Sequence, residues 1–159
     1  MRSITAHRND IREDVDMVRT LKRNDLNDVM QIWLESNLQA HSFISEEYWI
    51  GHFDSVREMI LQAEVYVYEN VHTHTIEGFI GLFDNDIAGI FIQKNVRSTG
   101  IGKQLLDYLK SIKQGLSLHV YQKNERAVAF YRREGFVIQG QSVDEDTGEG
   151  EYLMMWDNE

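Results

Sequence analysis

Val96-Arg97-Ser98-Thr99-Gly100-Ile101-Gly102-Lys103 lies between an apolar run, Ile87 to Ile92, and an amphipathic one, Ile101 to Lys113. The spacing reads as a strand, a tight glycine turn and a helix, and the rest of the chain is organised around this unit. At such a turn the first amides of the helix have no acceptor in the chain. The helix terminus adds roughly half a positive charge, so the turn is an anion site. Gly100 and Gly102 carry no Cβ, and a phosphate can come close to the backbone there.

Spacing separates this loop from other phosphate-binding loops. A P-loop requires a glycine five residues before its Gly-Lys pair and a Ser or Thr after it, and those positions hold Arg97 and Gln104. A dinucleotide fingerprint requires a third glycine where Leu105 stands. What remains is Arg-x-x-Gly-x-Gly at a strand-to-helix turn.

The length of 159 residues fits one domain. Residues 17–159 read as that domain, and 1–16, polar and aperiodic, as a tail or an added first strand. No apolar run approaches the ~20 residues that cross a membrane, and the start of the chain has no secretory pattern. There is no cysteine, which excludes disulfides, thiolate catalysis and Cys-based zinc sites and makes the cytoplasm the default location. The net charge of −10 argues against nucleic acid or an anionic membrane as partner and is compatible with a cationic acceptor. It equally suits a merely soluble surface. A polyanionic ligand then needs local positive charge, which Arg97, Lys103 and Lys123 can supply.

Along the chain, Met17 to Leu21 alternates as an edge strand. Asn24 is the expected cap of a helix whose face is Leu26, Val29, Met30, Trp33, Leu34 and Leu38. Ser45 caps a second helix with Glu46 and Glu47 in its first turn. Strands are expected over 64–68, 75–83 and 87–92, with Asp84-Asn85-Asp86 as a turn. After the glycine turn, Ile101, Leu105, Leu106, Leu109 and Ile112 make a helical stripe that Gly115 ends. Leu116 to Tyr121 is a buried strand. Asn124 caps a last helix that Gly135 stops. Strands over 136–143 and 151–156 flank an acidic loop. The order β, α, α, β, β, β, α, β, α, β, β gives an α/β fold, a mixed sheet covered by helices.

A second motif runs from His119 through Asn124, Ala127, Phe130-Tyr131 and Gly135-Phe136. Together with the glycine turn it resembles the GNAT family, the acetyl-CoA-dependent N-acetyltransferases, over about Met17 to Trp156. Ile32-Trp33-Leu34-Glu35-Ser36, Ala40-His41-Ser42-Phe43-Ile44 and Tyr48-Trp49 look like a bacterial GNAT subgroup of protein-lysine acetyltransferases. The resemblance implies a central, mostly antiparallel mixed sheet flanked by about four helices. It also implies acetyl-CoA as cosubstrate without a metal, and acetyl transfer by direct attack to a primary amine, either a protein lysine or N-terminus or a small amine.

The resemblance implies pyrophosphate binding by the backbone of Ser98, Thr99, Gly100, Ile101, Gly102 and Lys103, with Arg97 beside it. It implies pantetheine contacts at Phe91 and Ile92, and a cofactor contact at Asn124 in addition to its cap. Tyr131 matches the tyrosine that protonates or hydrogen-bonds the CoA sulfur. A phenol of pKa ~10 faces a thiol of ~8.5, so full proton transfer is uphill by about 2 kcal/mol and a hydrogen bond to the thiolate is as plausible. The amine must also lose a proton, at a cost of roughly 4.6 kcal/mol for a lysine at pH 7. His119 is the candidate base, with Glu35 and Asp84 weaker, and His41 a candidate acceptor-site residue. His119 could instead be a buried, hydrogen-bonded strand residue, and His41 a solvated loop residue. The rival to an enzyme is a catalytically silent acyl-CoA-binding module. Edge strands near the C-terminus could pair between chains, so monomer and homodimer both remain open.

Overall fold

The computed structural model describes residues 17–158. The expectation of a tail or strand over residues 1–16 lies outside the described residues. The elements are β1 (Val18–Thr20), α1 (Leu26–Ala40), α2 (Glu46–Gln62), β2 (Glu64–Glu69), β3 (Ile76–Phe83), β4 (Asp86–Ile92), α3 (Ile101–Ile112), β5 (Gly115–Tyr121), α4 (Glu125–Arg133), β6 (Val137–Val143) and β7 (Gly150–Asp157). Their order is the one read from the sequence.

The seven strands form one sheet in the order β1-β2-β3-β4-β5-β7-β6. Every neighbouring pair is antiparallel except β4 with β5. The period of two in β2 shows why the sheet is covered on both faces. Val65 and Val67 join the cluster of α1 and α2, with Leu26, Met30, Trp33 and Phe79. Tyr66 and Tyr68 join the opposite cluster, under α3 and α4. In α3, Ile101, Leu105, Leu106 and Leu109 are buried, as the stripe requires; burying each contributes roughly 2 kcal/mol. Ile112, counted in that stripe, is exposed because the helix ends there. β6 is an edge strand with Val137 and Val143 exposed.

Three expected caps come out differently. The first helix starts through a 3-10 turn, Arg23–Asp25, and Asp25 rather than Asn24 does the capping: its carboxylate accepts from the Lys22 N–H at 2.7 Å. Asp25 also takes an ion pair from Arg19 at 2.8 Å, a long-range partner that local propensity does not encode. Ser45 has the extended backbone of an N-cap but makes no capping hydrogen bond. Gly115 opens β5 instead of ending α3, since α3 is already closed by Lys113 in extended conformation. Gly135 is confirmed, with φ +95° and a bond from the Phe136 N–H to the Tyr131 carbonyl at 2.9 Å.

The parallel join of β4 and β5 positions the site. These strands pair only at Asp86 with Ser117 and Ile87 with Leu118. Beyond Ile87 β4 has no β5 partner, so the sheet opens there into a cleft.

Candidate active site

The cleft holds about 520 Å³. Its walls are the end of α1 (Ser36, Asn37, Ala40, His41), the end of β4 that has no β5 partner (Ile90 to Ile92), the glycine turn and α4. The apolar residues of β4 alternate between the sheet faces, so Phe91 packs toward α1 and α2 and Ile92 toward α3. Both line the cleft.

At the turn, Gly100 is the N-cap of α3 with φ +90° and ψ 5°. This left-handed geometry is open to glycine and costly for a residue with a Cβ. The first helical bond runs from the Gln104 N–H to the Gly100 carbonyl at 3.1 Å. The N–H groups of Ile101, Gly102 and Lys103 therefore lie ahead of the helical ladder. Ser98 is also left-handed, at φ 63°, and its hydroxyl accepts from Arg126 Nη2 at 2.7 Å. Thr99 Oγ1 donates to the Val96 carbonyl at 2.5 Å. A Cβ built on Gly100 would meet nothing within 4 Å, so the approach to the turn is clear.

Charge follows the same plan. Arg97 and Arg126 both line the cleft. Burial, and then the charge of Arg126, lower the pKa of the Arg97 guanidinium. Among the described residues neither arginine has an ion pair, although the chain carries ten more formal negative charges than positive ones. Two unpaired guanidiniums beside free amides suit a diphosphate. The Lys103 ammonium is committed elsewhere, to Asp107 at 3.2 Å and Glu134 at 3.1 Å, which leaves its backbone N–H for the cradle. Lys123 is likewise paired with Glu149 at 3.0 Å and is not a cleft residue.

Tyr131 lines the cleft from α4. It is 7% exposed, its ring edges onto Phe130 and packs against Phe136, and burial pushes its phenol up. Among the described residues its hydroxyl has no hydrogen-bond partner. A neutral, partnerless O–H donor in a cleft is suited to an anion that appears during reaction.

Asn124 makes its expected cap and also lines the cleft. Its Oδ1 accepts from the Ala127 N–H at 3.3 Å, which is the cap, and its side chain lines the cleft. Its Nδ2 lies 3.0 Å from His41 Nε2, a contact between residues 83 apart in sequence that no local signal contains. His41 lines the cleft and stacks on Trp49, with ring centroids 5.4 Å apart. Burial lowers its pKa to about 4. His119 is not brought to the cleft: it is exposed on β5, opposite Leu153. Glu35 is hydrogen-bonded to Gln31 on the exposed side of α1, and Asp84 lies in the β3–β4 turn; neither lines the cleft.

The sequence reading missed the group next to His41. The Tyr121 ring lies 5.0 Å from that of His41, and its hydroxyl donates to Asp144 at 2.6 Å. Glu151 is the cross-strand partner of Tyr121. Burial raises its pKa, Asp144 raises it further, and His119 lowers it. Asp144 opens the acidic loop between β6 and β7, and the signal that could have marked it is that loop's return to the end of β5.

The comparisons agree with this geometry. The acetyltransferase (GNAT) domain pattern matches residues 62–138. The chain is 32% identical to the peptidyl-lysine N-acetyltransferase YiaC of Escherichia coli (strain K12), over 88% of this chain and 96% of that protein. It is 30% identical to the peptidyl-lysine N-acetyltransferase YjaB of the same strain, over 82% of this chain and 88% of YjaB. The solution structure of apo-form YjaB from Escherichia coli superposes with a TM-score of 0.78 at 28% identity, covering 87% of this chain and 95% of that one. The coenzyme A complex of PaiA N-acetyltransferase from Thermoplasma acidophilum shares the fold, with a TM-score of 0.74 at 20% identity over 89% and 98%. The chain belongs to the GNAT family of acetyltransferases.

Proposed function

We propose that this N-acetyltransferase moves the acetyl group of acetyl-CoA onto a protein lysine side chain by direct attack of the neutral amine. The observation that carries the reading is the cleft itself. One end offers unpaired amides and two unpaired arginines, and its wall holds the partnerless hydroxyl of Tyr131. That hydroxyl favours an enzyme over a silent acyl-CoA-binding module, which has no need of an unpartnered donor in the cleft wall. The lysine acceptor rests on the names of the relatives YiaC and YjaB.

The roles follow from position. The backbone of 98–103 and the guanidinium of Arg97 hold the pyrophosphate. Phe91 and Ile92 present the side of β4 that has no β5 neighbour to the pantetheine, which runs beside it as a strand would. Asn124 contacts the same arm. Tyr131 donates to the sulfur as negative charge develops there, which is hydrogen-bond stabilisation rather than full proton transfer. The acceptor enters beside His41 and Tyr121, toward Asp144 and Glu151, whose charge attracts an ammonium. The amine's proton leaves along the face of β5 and β7 that carries Tyr121, Glu151 and His119, so His119 serves at the solvent end of that path. A cytoplasmic location fits a cysteine-free chain. Among the described residues, no helix is long and apolar enough to cross a membrane.

The test is turnover of acetyl-CoA with a lysine peptide and with spermidine, following thiol release and locating the acetyl group by mass spectrometry. Acetylation of the peptide is expected. Micromolar binding of acetyl-CoA without turnover of either amine would overturn the enzyme reading in favour of the silent module.

A further inference from the structure

Three side chains, Asn124, His41 and Asn37, form a hydrogen-bonded chain from α4 to α1 that ends on a backbone group at each side. The Ala127 N–H meets Asn124 Oδ1 at 3.3 Å, and Asn124 Nδ2 lies 3.0 Å from His41 Nε2. His41 Nδ1 lies 2.9 Å from Asn37 Oδ1, and Asn37 Nδ2 lies 2.9 Å from the Trp33 carbonyl. The polarity of this chain is forced by its two ends. A backbone N–H can only donate, so the atom of Asn124 facing it is the oxygen and the other is the NH2 group. That group donates to His41, so Nε2 carries no proton and the ring proton sits on Nδ1. Nδ1–H then donates to Asn37 Oδ1, and Asn37 Nδ2 donates to a carbonyl, which can only accept. Every link agrees.

We infer that His41 is a positioning residue: held as the Nδ1–H tautomer, it fixes the Asn124 amide in the cleft and ties the end of α1 to the start of α4, which carries Tyr131. This inference rests on the acetyltransferase reading of the cleft. His41 is not the base that its residue type suggests, because both ring nitrogens are engaged. Its other neighbours are the rings of Phe43, Trp49 and Tyr121, so among the described residues no carboxylate contacts the imidazole to hold a proton on it. Asn124 Nδ2 has two hydrogens and His41 takes one. The second is left for whatever fills the cleft that Asn124 lines. Without His41 the amide keeps its cap but loses the contact that holds its plane, and α1 and α4 lose their side-chain bond across the cleft.

The test compares the full chain with His41→Ala and His41→Gln. Glutamine Oε1 stands as many bonds from Cβ as Nε2 does, so it can accept from Asn124. Loss of one hydrogen bond to a cleft residue predicts that kcat/KM for acetyl-CoA falls roughly 5- to 10-fold in His41→Ala, with an unchanged pH profile. His41→Gln is expected to recover most of that loss. On the wild-type chain, nitrogen-15 NMR of the imidazole is expected to show the Nδ1–H tautomer from pH 8 to 5.5. That spectrum needs neither cosubstrate nor a folded variant. An Nε2–H tautomer, a histidine limb in the pH profile that His41→Ala abolishes, or a His41→Gln as impaired as His41→Ala would each overturn the inference. If the wild type shows the expected tautomer but neither binds nor turns over acetyl-CoA, the acetyltransferase reading fails instead.

Discussion

Replacing Tyr131 by phenylalanine removes one hydroxyl and nothing else. The ring contacts, 5.4 Å to Phe130 and 5.6 Å to Phe136 between centroids, remain. Among the described residues no hydrogen bond is lost in the resting protein. The hydroxyl lies in the cleft wall and makes no bond there, so the folded state is expected to be unchanged. Acetyl-CoA binding is expected to stay within about twofold, because the amides and arginines that hold the diphosphate lie elsewhere in the cleft. The transition state is different. A hydrogen bond to a charged acceptor contributes about 1.5–3 kcal/mol, and at 1.36 kcal/mol per tenfold its loss lowers kcat about 10- to 150-fold. The assay is thiol release from acetyl-CoA with a lysine peptide, run beside calorimetric binding and thermal melting. An unchanged kcat refutes the role of the hydroxyl. A loss that appears equally in binding or in Tm refutes the argument that it acts only on the developing thiolate.

Acidification tests His41 independently of activity. Its folded pKa of about 4 lies below the usual 6.5. Between those values the unfolded chain binds the extra proton, so stability should fall as pH drops from 6.5 to 4, by up to about 3 kcal/mol. The His41→Gln chain should lose less over that window by urea titration. Arg97→Ala and Arg126→Ala should each raise the Kd for acetyl-CoA about tenfold by calorimetry. The wild-type affinity should weaken with added salt, and less steeply in either variant. Gly100→Ala should cost about 1–2 kcal/mol in urea unfolding from its left-handed φ of +90° alone, since nothing lies within 4 Å of the new Cβ. Gly102→Ala should be stability-neutral or better, because its Cβ would make an ordinary 3.5 Å contact with Phe130 in the first turn of a helix.

The local signals were strong where the physics is local. The element order, the glycine turn, the α3 stripe, the Asn124 cap and the Gly135 stop follow from periodicity and backbone preference within a few residues, and so were legible in the chain. Phe91, Ile92, Arg97, Ser98, Gly100 to Lys103, Asn124 and Tyr131, singled out from the sequence, line the cleft from those same elements or their ends, whereas Thr99 does not. Caps with distant partners were not legible: Asp25 displaced Asn24 because Arg19 and the Lys22 amide meet its carboxylate. The two histidines look alike as residue types, yet the folding of α1 onto α4 brings His41 to Asn124 while strand alternation turns His119 out to solvent.

By itself the sequence determined that this is a seven-stranded α/β protein with a glycine-opened helix at its centre, because hydrophobic period, glycine and caps act over one to seven residues. The tertiary structure alone decided where the sheet parts between β4 and β5, which cations stay unpaired, which tautomer His41 adopts, and that Asp144 and Glu151 lie beside Tyr121. Those outcomes depend on distances between residues tens of positions apart, and such distances exist only once the hydrophobic faces have packed.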